Sequence, residues 1–165
     1  MKFLTGIATM ESEGVQFMSE IIKQEYIHLH CPAVTKAEVL QTASRWAAEA
    51  EIIADAALFL KGLWDREAEF STGVGDGIAI PHCRLESIRQ PSVFFAHLEN
   101  PVRWSPEEEV DLILVLAVPQ SNAENTHIRL LSQLARKLVD EVFVSQLREL
   151  DQPAAIYALF NDIQL

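Results

Sequence analysis

A chain of 165 residues that is 49% apolar has the length and the hydrophobic content for one domain with a real core, and nothing calls for a second. Thirteen Lys and Arg stand against twenty-four Asp and Glu, a formal charge of −11, which argues against electrostatic capture of a nucleic-acid backbone and suits basic protein partners. The longest apolar run, 112–118, is far too short to cross a bilayer, and Cys31 and Cys83 make no disulfide framework, so a soluble protein of the reducing cytoplasm is expected.

Residues 1–14 show no firm periodicity and no signal-peptide cleavage site. They are read as a poorly ordered extension ahead of a domain over 15–165. Tyr26 to His30 alternates and predicts an edge strand, with Ile27 and Leu29 buried and His28 and His30 on the other face. His28, His30 and Cys31 include metal-ligating types, but zinc wants four well-placed ligands and no fourth of equal quality follows, so no metal site is assigned. Thr35 to about Ala50 reads as a helix with Thr35 as N-cap, Glu38 in the capping-box position and a stripe of Val39, Leu40, Ala43, Trp46 and Ala47. A second helix is expected from Asp55 to Glu69, with Ala56, Phe59, Leu60, Leu63 and Trp64 inward and Arg66 and Glu67 in its last turns.

Three glycines then fall in Thr72-Gly73-Val74-Gly75-Asp76-Gly77, a tight loop that allows positive φ and close approach to a ligand. Ile78 to Ile80 reads as a short buried strand, Pro81 fixes φ and removes an N–H, and His82 follows on stiff backbone. A loop over 83–91, a buried strand over 93–98 containing a structural His97, a turn at Asn100-Pro101 and an acidic loop over 105–109 come next. The run 110–118 is apolar at nearly every position, as in a central strand covered on both faces. Residues 121–126 are polar, His127 opens a helix striped by Ile128, Leu131, Leu134, Ala135 and Leu138, and Asp140 and Asp151 are read as caps of two more short helices. The fold expected is α/β, a single layered domain with a mixed β-sheet flanked by α-helices.

A neutral imidazole offers a lone pair near pH 7, a polar neighbour fixes its tautomer, and a guanidinium with backbone N–H groups neutralises phosphate oxygens. His82, His127 and Arg66 beside a glycine loop are therefore the parts needed to carry a phosphoryl group on a ring nitrogen.

In order, Arg66-Glu67, Ser71-Thr72-Gly73, Gly77-Ile78-Ala79-Ile80-Pro81-His82, Pro101-Val102-Arg103-Trp104, Leu116-Ala117-Val118-Pro119 and His127-Ile128-Arg129-Leu130-Leu131 form one colinear pattern. It resembles the IIA component of the bacterial sugar phosphotransferase system, in the fructose/mannitol branch that also holds a nitrogen-regulatory IIA. Arg66-Glu67-Ala68-Glu69-Phe70 and Pro81-His82-Cys83 are also similar to the galactitol type, so the sugar stays open. The resemblance implies that His82 takes a phosphoryl group from the carrier protein HPr and gives it to a IIB domain, touching the membrane only indirectly through IIC. It implies Arg66 as the phosphate's cation and His127 as a neighbouring donor. Thr72 and the backbone of Gly73, Gly75 and Gly77 are further candidate phosphate donors. No metal or other cofactor is called for. The nitrogen-type relatives imply a second role, docking regulatory protein targets according to phosphorylation state.

Overall fold

The computed structural model describes residues 21–120 and 123–163, the side chains of 123–128 apart. The proposed extension over 1–14 lies outside the described residues. Among the described residues six strands form one mixed sheet in the order β1-β5-β6-β3-β2, with β4 also paired to β6. They are β1 (Ile27–Cys31), β2 (Gly73–Gly75), β3 (Ile78–Ala79), β4 (His82–Leu85), β5 (Ser92–Ser105) and β6 (Glu108–Pro119). The helices are α1 (Lys36–Glu49), α2 (Ala56–Glu69), α3 (Ala123–Leu138), α4 (Glu141–Glu149) and α5 (Pro153–Asn161).

The alternation of β6 separates two layers. Ile113, Val115 and Ala117 pack with Val39, Leu40, Phe59 and Leu63 of α1 and α2, while Leu112, Leu114, Leu116 and Val118 pack with Leu130, Leu134, Leu147 and Phe160 of α3, α4 and α5. Both faces are thereby dry, which is why the strand reads as an unbroken apolar run. Each fully buried large side chain contributes roughly 1.5–3 kcal/mol. The layered α/β sandwich with a mixed sheet is as expected from the sequence.

Local chemistry sets the helix ends. The Thr35 hydroxyl oxygen accepts the Glu38 N–H at 3.1 Å, and the Glu38 carboxylate reaches back to the Val34 N–H at 2.8 Å. Asp55 accepts from the Ala57 and Leu58 amides, and Asp140 from those of Val142 and Phe143. Caps of this kind stabilise by about 1 kcal/mol each. Asp151 is not the cap of α5: Gln152 holds that position, and the Asp151 carboxylate bonds the His30 ring instead.

Five further expectations are corrected. Asn100-Pro101 is no turn, because β5 runs straight through it with a register shift between His97 and Val102, a bulge that accommodates proline. The segment after His82 is not loop at once but strand β4, parallel to β6. Trp64 is 39% exposed, and Trp46 is half-buried, stacked on the His28 ring at 3.7 Å between centroids. A register shift in β1 with φ of +55° at His30 re-aims that side chain, so His28 and His30 do not share a face. His97 is partly exposed and lies 3.6 Å from the Asp111 carboxylate.

Candidate functional site

The site begins with an interrupted strand. β3 and β4 pair with the same edge of β6 in one unbroken register, Ile78 with Leu112 and Ala79 with Ile113, then His82 with Leu116 and Cys83 with Ala117. Between them Pro81 has no N–H to give the ladder, and the Ile80 N–H turns away to the Thr72 carbonyl at 3.0 Å. The Pro81 carbonyl accepts from the Leu116 amide at 3.0 Å, so the backbone before His82 is tethered on both sides of the proline.

The Ile80 carbonyl stands 2.8 Å from His82 Nδ1. A carbonyl only accepts, so Nδ1 carries the proton and Nε2 keeps its lone pair. Toward that nitrogen Arg66 directs its Nε–H, at 3.1 Å. Burial, chiefly, and the Arg66 charge push the imidazole below the ordinary histidine value of 6.5; the Ile80 carbonyl, Glu67 and Glu69 push the other way without reversing it. His82 is therefore a half-buried, neutral ring at pH 7 with a defined tautomer.

Arg66 comes from the last turn of α2, where a cation also suits the helix dipole. Its Nη1 donates to the Phe70 carbonyl at 2.9 Å, its guanidinium carbon lies 4.6 Å from the centroid of the exposed Phe70 ring, and Glu69 sits 3.9 Å away. The Arg66 side chain is 22% exposed, so an incoming oxyanion can reach it. Next to His82, Cys83 points into the α1–α2 layer, where burial first and the Asp65 charge second raise its thiol pKa to about 11, so it is no competing nucleophile.

The candidate phosphate donors fare differently. The Thr72 hydroxyl donates to Glu67 and accepts from the Trp104 indole N–H at 3.3 Å, which leaves it no proton for a phosphate. The Gly73 N–H already binds the Ser71 hydroxyl at 3.1 Å. Gly75 (φ +93°), Asp76 (φ +56°) and Gly77 (φ +77°) turn the hairpin between β2 and β3. The Gly77 carbonyl accepts from the Asp111 and Leu112 amides, and His82 pairs with Leu116, so at about 3.3 Å per residue the hairpin tip lies on the order of 16 Å along β6 from the imidazole. Its neighbours there are Arg148, which donates to the Asp76 carbonyl, and Asp111. The structure thus brings Arg66 to His82, and places Gly75 and Gly77 at the far end of the strand. His127 falls in the second turn of α3 rather than at its start, and its side chain lies outside the described residues.

Sequence reasoning missed the Ile80 carbonyl and the side chain of Glu67. A signal for the second existed: Phe59, Leu63 and Glu67 recur at spacing four, and all three are buried. Among the described residues no helix is long and apolar enough to cross a membrane.

Known proteins resemble this chain in sequence and in fold. Residues 20–163 match the family model described as "Phosphoenolpyruvate-dependent sugar phosphotransferase system, EIIA 2". Multiphosphoryl transfer protein 2 of Escherichia coli K12 is 36% identical over 143 residues, 79% of this chain, which spans only 17% of that much longer protein. The fructose-like EIIA component of the same organism is 34% identical over 125 residues, covering 74% of this chain and 83% of its own. The crystal structure of the nitrogen regulatory protein IIA-Ntr from Neisseria meningitidis superposes with a TM-score of 0.80 at 28% identity, over 87% of this chain and 99% of that one. A family model that takes in both layers and the whole interrupted strand leaves one conclusion: the chain belongs to the EIIA type 2 family of the phosphoenolpyruvate-dependent sugar phosphotransferase system.

Proposed function

We propose that His82 is a phosphoryl carrier, accepting from a phosphohistidine on HPr at Nε2 and donating to a IIB domain in sugar or polyol uptake. The observation that carries this reading is the pair of contacts on the ring, Nδ1–H to the Ile80 carbonyl and the Arg66 Nε–H toward Nε2. The Nε2 lone pair attacks phosphorus in line, the donor's P–N bond breaks and returns its electron pair to the donor ring, and a new P–N bond forms at Nε2. The Nδ1 proton stays where it is, and the Ile80 carbonyl stabilises the ring as it gains positive character. Before attack Arg66 releases Nε2 and turns its N–H groups to the equatorial oxygens, where most of the charge lies. Reactants that bring their own nucleophile and leaving group need mainly such positioning.

The test is incubation with phosphoenolpyruvate, enzyme I and HPr. Wild type should acquire an acid-labile, base-stable label and His82→Ala none; equal labelling of both removes His82 from the chemistry. The likeness to IIA-Ntr favours a second reading, a regulator that docks target proteins in one phosphorylation state. Passage of the label to a IIB supports the carrier. Phosphorylation-dependent capture of another protein, with no IIB accepting, supports the regulator.

A further inference from the structure

We infer that Glu67 is a positioning residue, which holds both the tautomer of His82 and the reach of Arg66 through a buried polar cluster. The labelling part of this inference rests on His82 being the phosphoryl acceptor; the tautomer part does not.

The side chain of Glu67 is only 2% exposed and stands in the apolar stripe of α2 below Phe59 and Leu63. A carboxylate there is expensive to desolvate, and a well-packed apolar pair in place of a buried ion pair is often as stable or more so. Its presence calls for something other than stability. Lys36 Nζ lies 2.8 Å from one carboxylate oxygen and also donates to the Trp104 carbonyl at 3.1 Å. The Thr72 N–H, at 3.3 Å, and the Thr72 hydroxyl both donate to Glu67, and the Trp104 indole N–H donates to that hydroxyl oxygen. One carboxylate thus ties the start of α1, the end of α2, the entry to β2 and the end of β5 together.

Two short paths lead from it to the imidazole. Thr72, pinned by Glu67, presents the carbonyl that binds the Ile80 N–H, and Ile80 presents the carbonyl that binds His82 Nδ1. On the other path Glu67 anchors the last turn of α2, and the next residue back is Arg66, whose Nε meets His82 Nε2. A shift of Glu67 would therefore loosen, together, the acceptor that holds the proton on Nδ1 and the donor that faces Nε2. An imidazole released from the first favours the proton on Nε2, which blocks the attacking lone pair.

The experiment compares wild type, Glu67→Gln and the double variant Glu67→Met/Lys36→Met, which removes both charges together and takes the acceptor from the Thr72 N–H and hydroxyl. Nitrogen-15 imidazole spectra of unphosphorylated protein report the tautomer, the initial rate of labelling by phospho-HPr reports the chemistry, and thermal unfolding reports stability. The double variant should melt several degrees below wild type because the buried Thr72 donors lose their acceptor, show a measurable Nε2–H population and label about 10–100-fold more slowly, the size of loss that misplacement of about 1 Å produces. Glu67→Gln should show the same spectral change with a lower melting point. A double variant that regains the wild-type melting point together with a single Nδ1–H tautomer and wild-type labelling overturns the inference. If the double variant does not fold, Glu67→Asp keeps the charge and shortens the reach by one methylene: mixed tautomers support the inference, an unchanged ring refutes it. Absence of label on wild-type His82 refutes the carrier reading alone, and the spectra still decide this one.

Discussion

Gly62, in the middle of α2, offers a test of how tightly that helix is seated on the strand carrying His82. A methyl group there would sit 2.2 Å from Cys83 Sγ, 3.5 Å from Cys83 Cβ and 3.8 Å from Leu85 Cδ1. The last two are ordinary contacts and the first is not. Gly62→Ala gains about 1 kcal/mol of helix propensity. It loses about 1–3 kcal/mol because the sulfur must adopt another rotamer in a packed interior or push β4 off α2. The net expectation is a loss of about 1 kcal/mol, a fall in Tm of roughly 2–4 °C for a chain of this size. Cys83→Ala alone leaves a void near a methyl in size and costs about 1 kcal/mol. Combining the two puts the new methyl where the sulfur was, so the double variant should melt at or above wild type, with a coupling of roughly 2–3 kcal/mol. Urea and thermal unfolding of the four proteins close the cycle, and labelling by phospho-HPr should fall in Gly62→Ala and return in the double variant. A rise in Tm for Gly62→Ala alone, or a double variant as unstable as the two singles summed, refutes the argument.

Three other outcomes bear on the site. His82 should titrate below 6.5 by NMR; the folded protein then holds that proton less well than the unfolded chain, so this contribution to stability is full above pH 6.5 and declines as pH falls beneath it. Arg66→Gln, by removing a positive neighbour, should move the His82 titration upward and cut labelling by about 10²–10³-fold, as loss of one preorganised donor does; a downward move contradicts the assigned electrostatics. Gly75→Ala, at φ +93° with open space around it, should cost about 1–2 kcal/mol of backbone strain yet label at the wild-type rate, since the hairpin lies far along β6 from the ring. Loss of labelling in a folded Gly75→Ala protein would return the glycine loop to the phosphate.

What the sequence showed depended on how local the cause was. Thr35, Asp55 and Asp140 announce helix starts because a cap bonds amides two or three residues away. The apolar run of β6 announces a central strand because both its faces are dry. Pro101 misled because the bulge that tolerates it belongs to the pairing of β5 with β6, which no local pattern encodes. The glycines carried less information: positive φ, which Gly75 and Gly77 adopt, suits a phosphate cradle and a tight hairpin equally, and their distance from His82 comes from the register of β3 on β6. Arg66 and His82 were legible as a pair, sixteen residues apart, whereas the carbonyl that orients the ring belongs to a residue chosen only for its apolar side chain.

The break at Ile80-Pro81 makes the oriented imidazole of His82 hard to transplant. On an uninterrupted strand, main-chain oxygens are engaged by the neighbouring strand, and a histidine grafted there would have to find its orienting acceptor among side chains with rotamer freedom of their own. Here the acceptor is main chain two residues upstream and is carried wherever the segment goes. A designer who wishes to move this oriented ring into another sheet must therefore move the fault in the sheet, proline included, and not the histidine by itself.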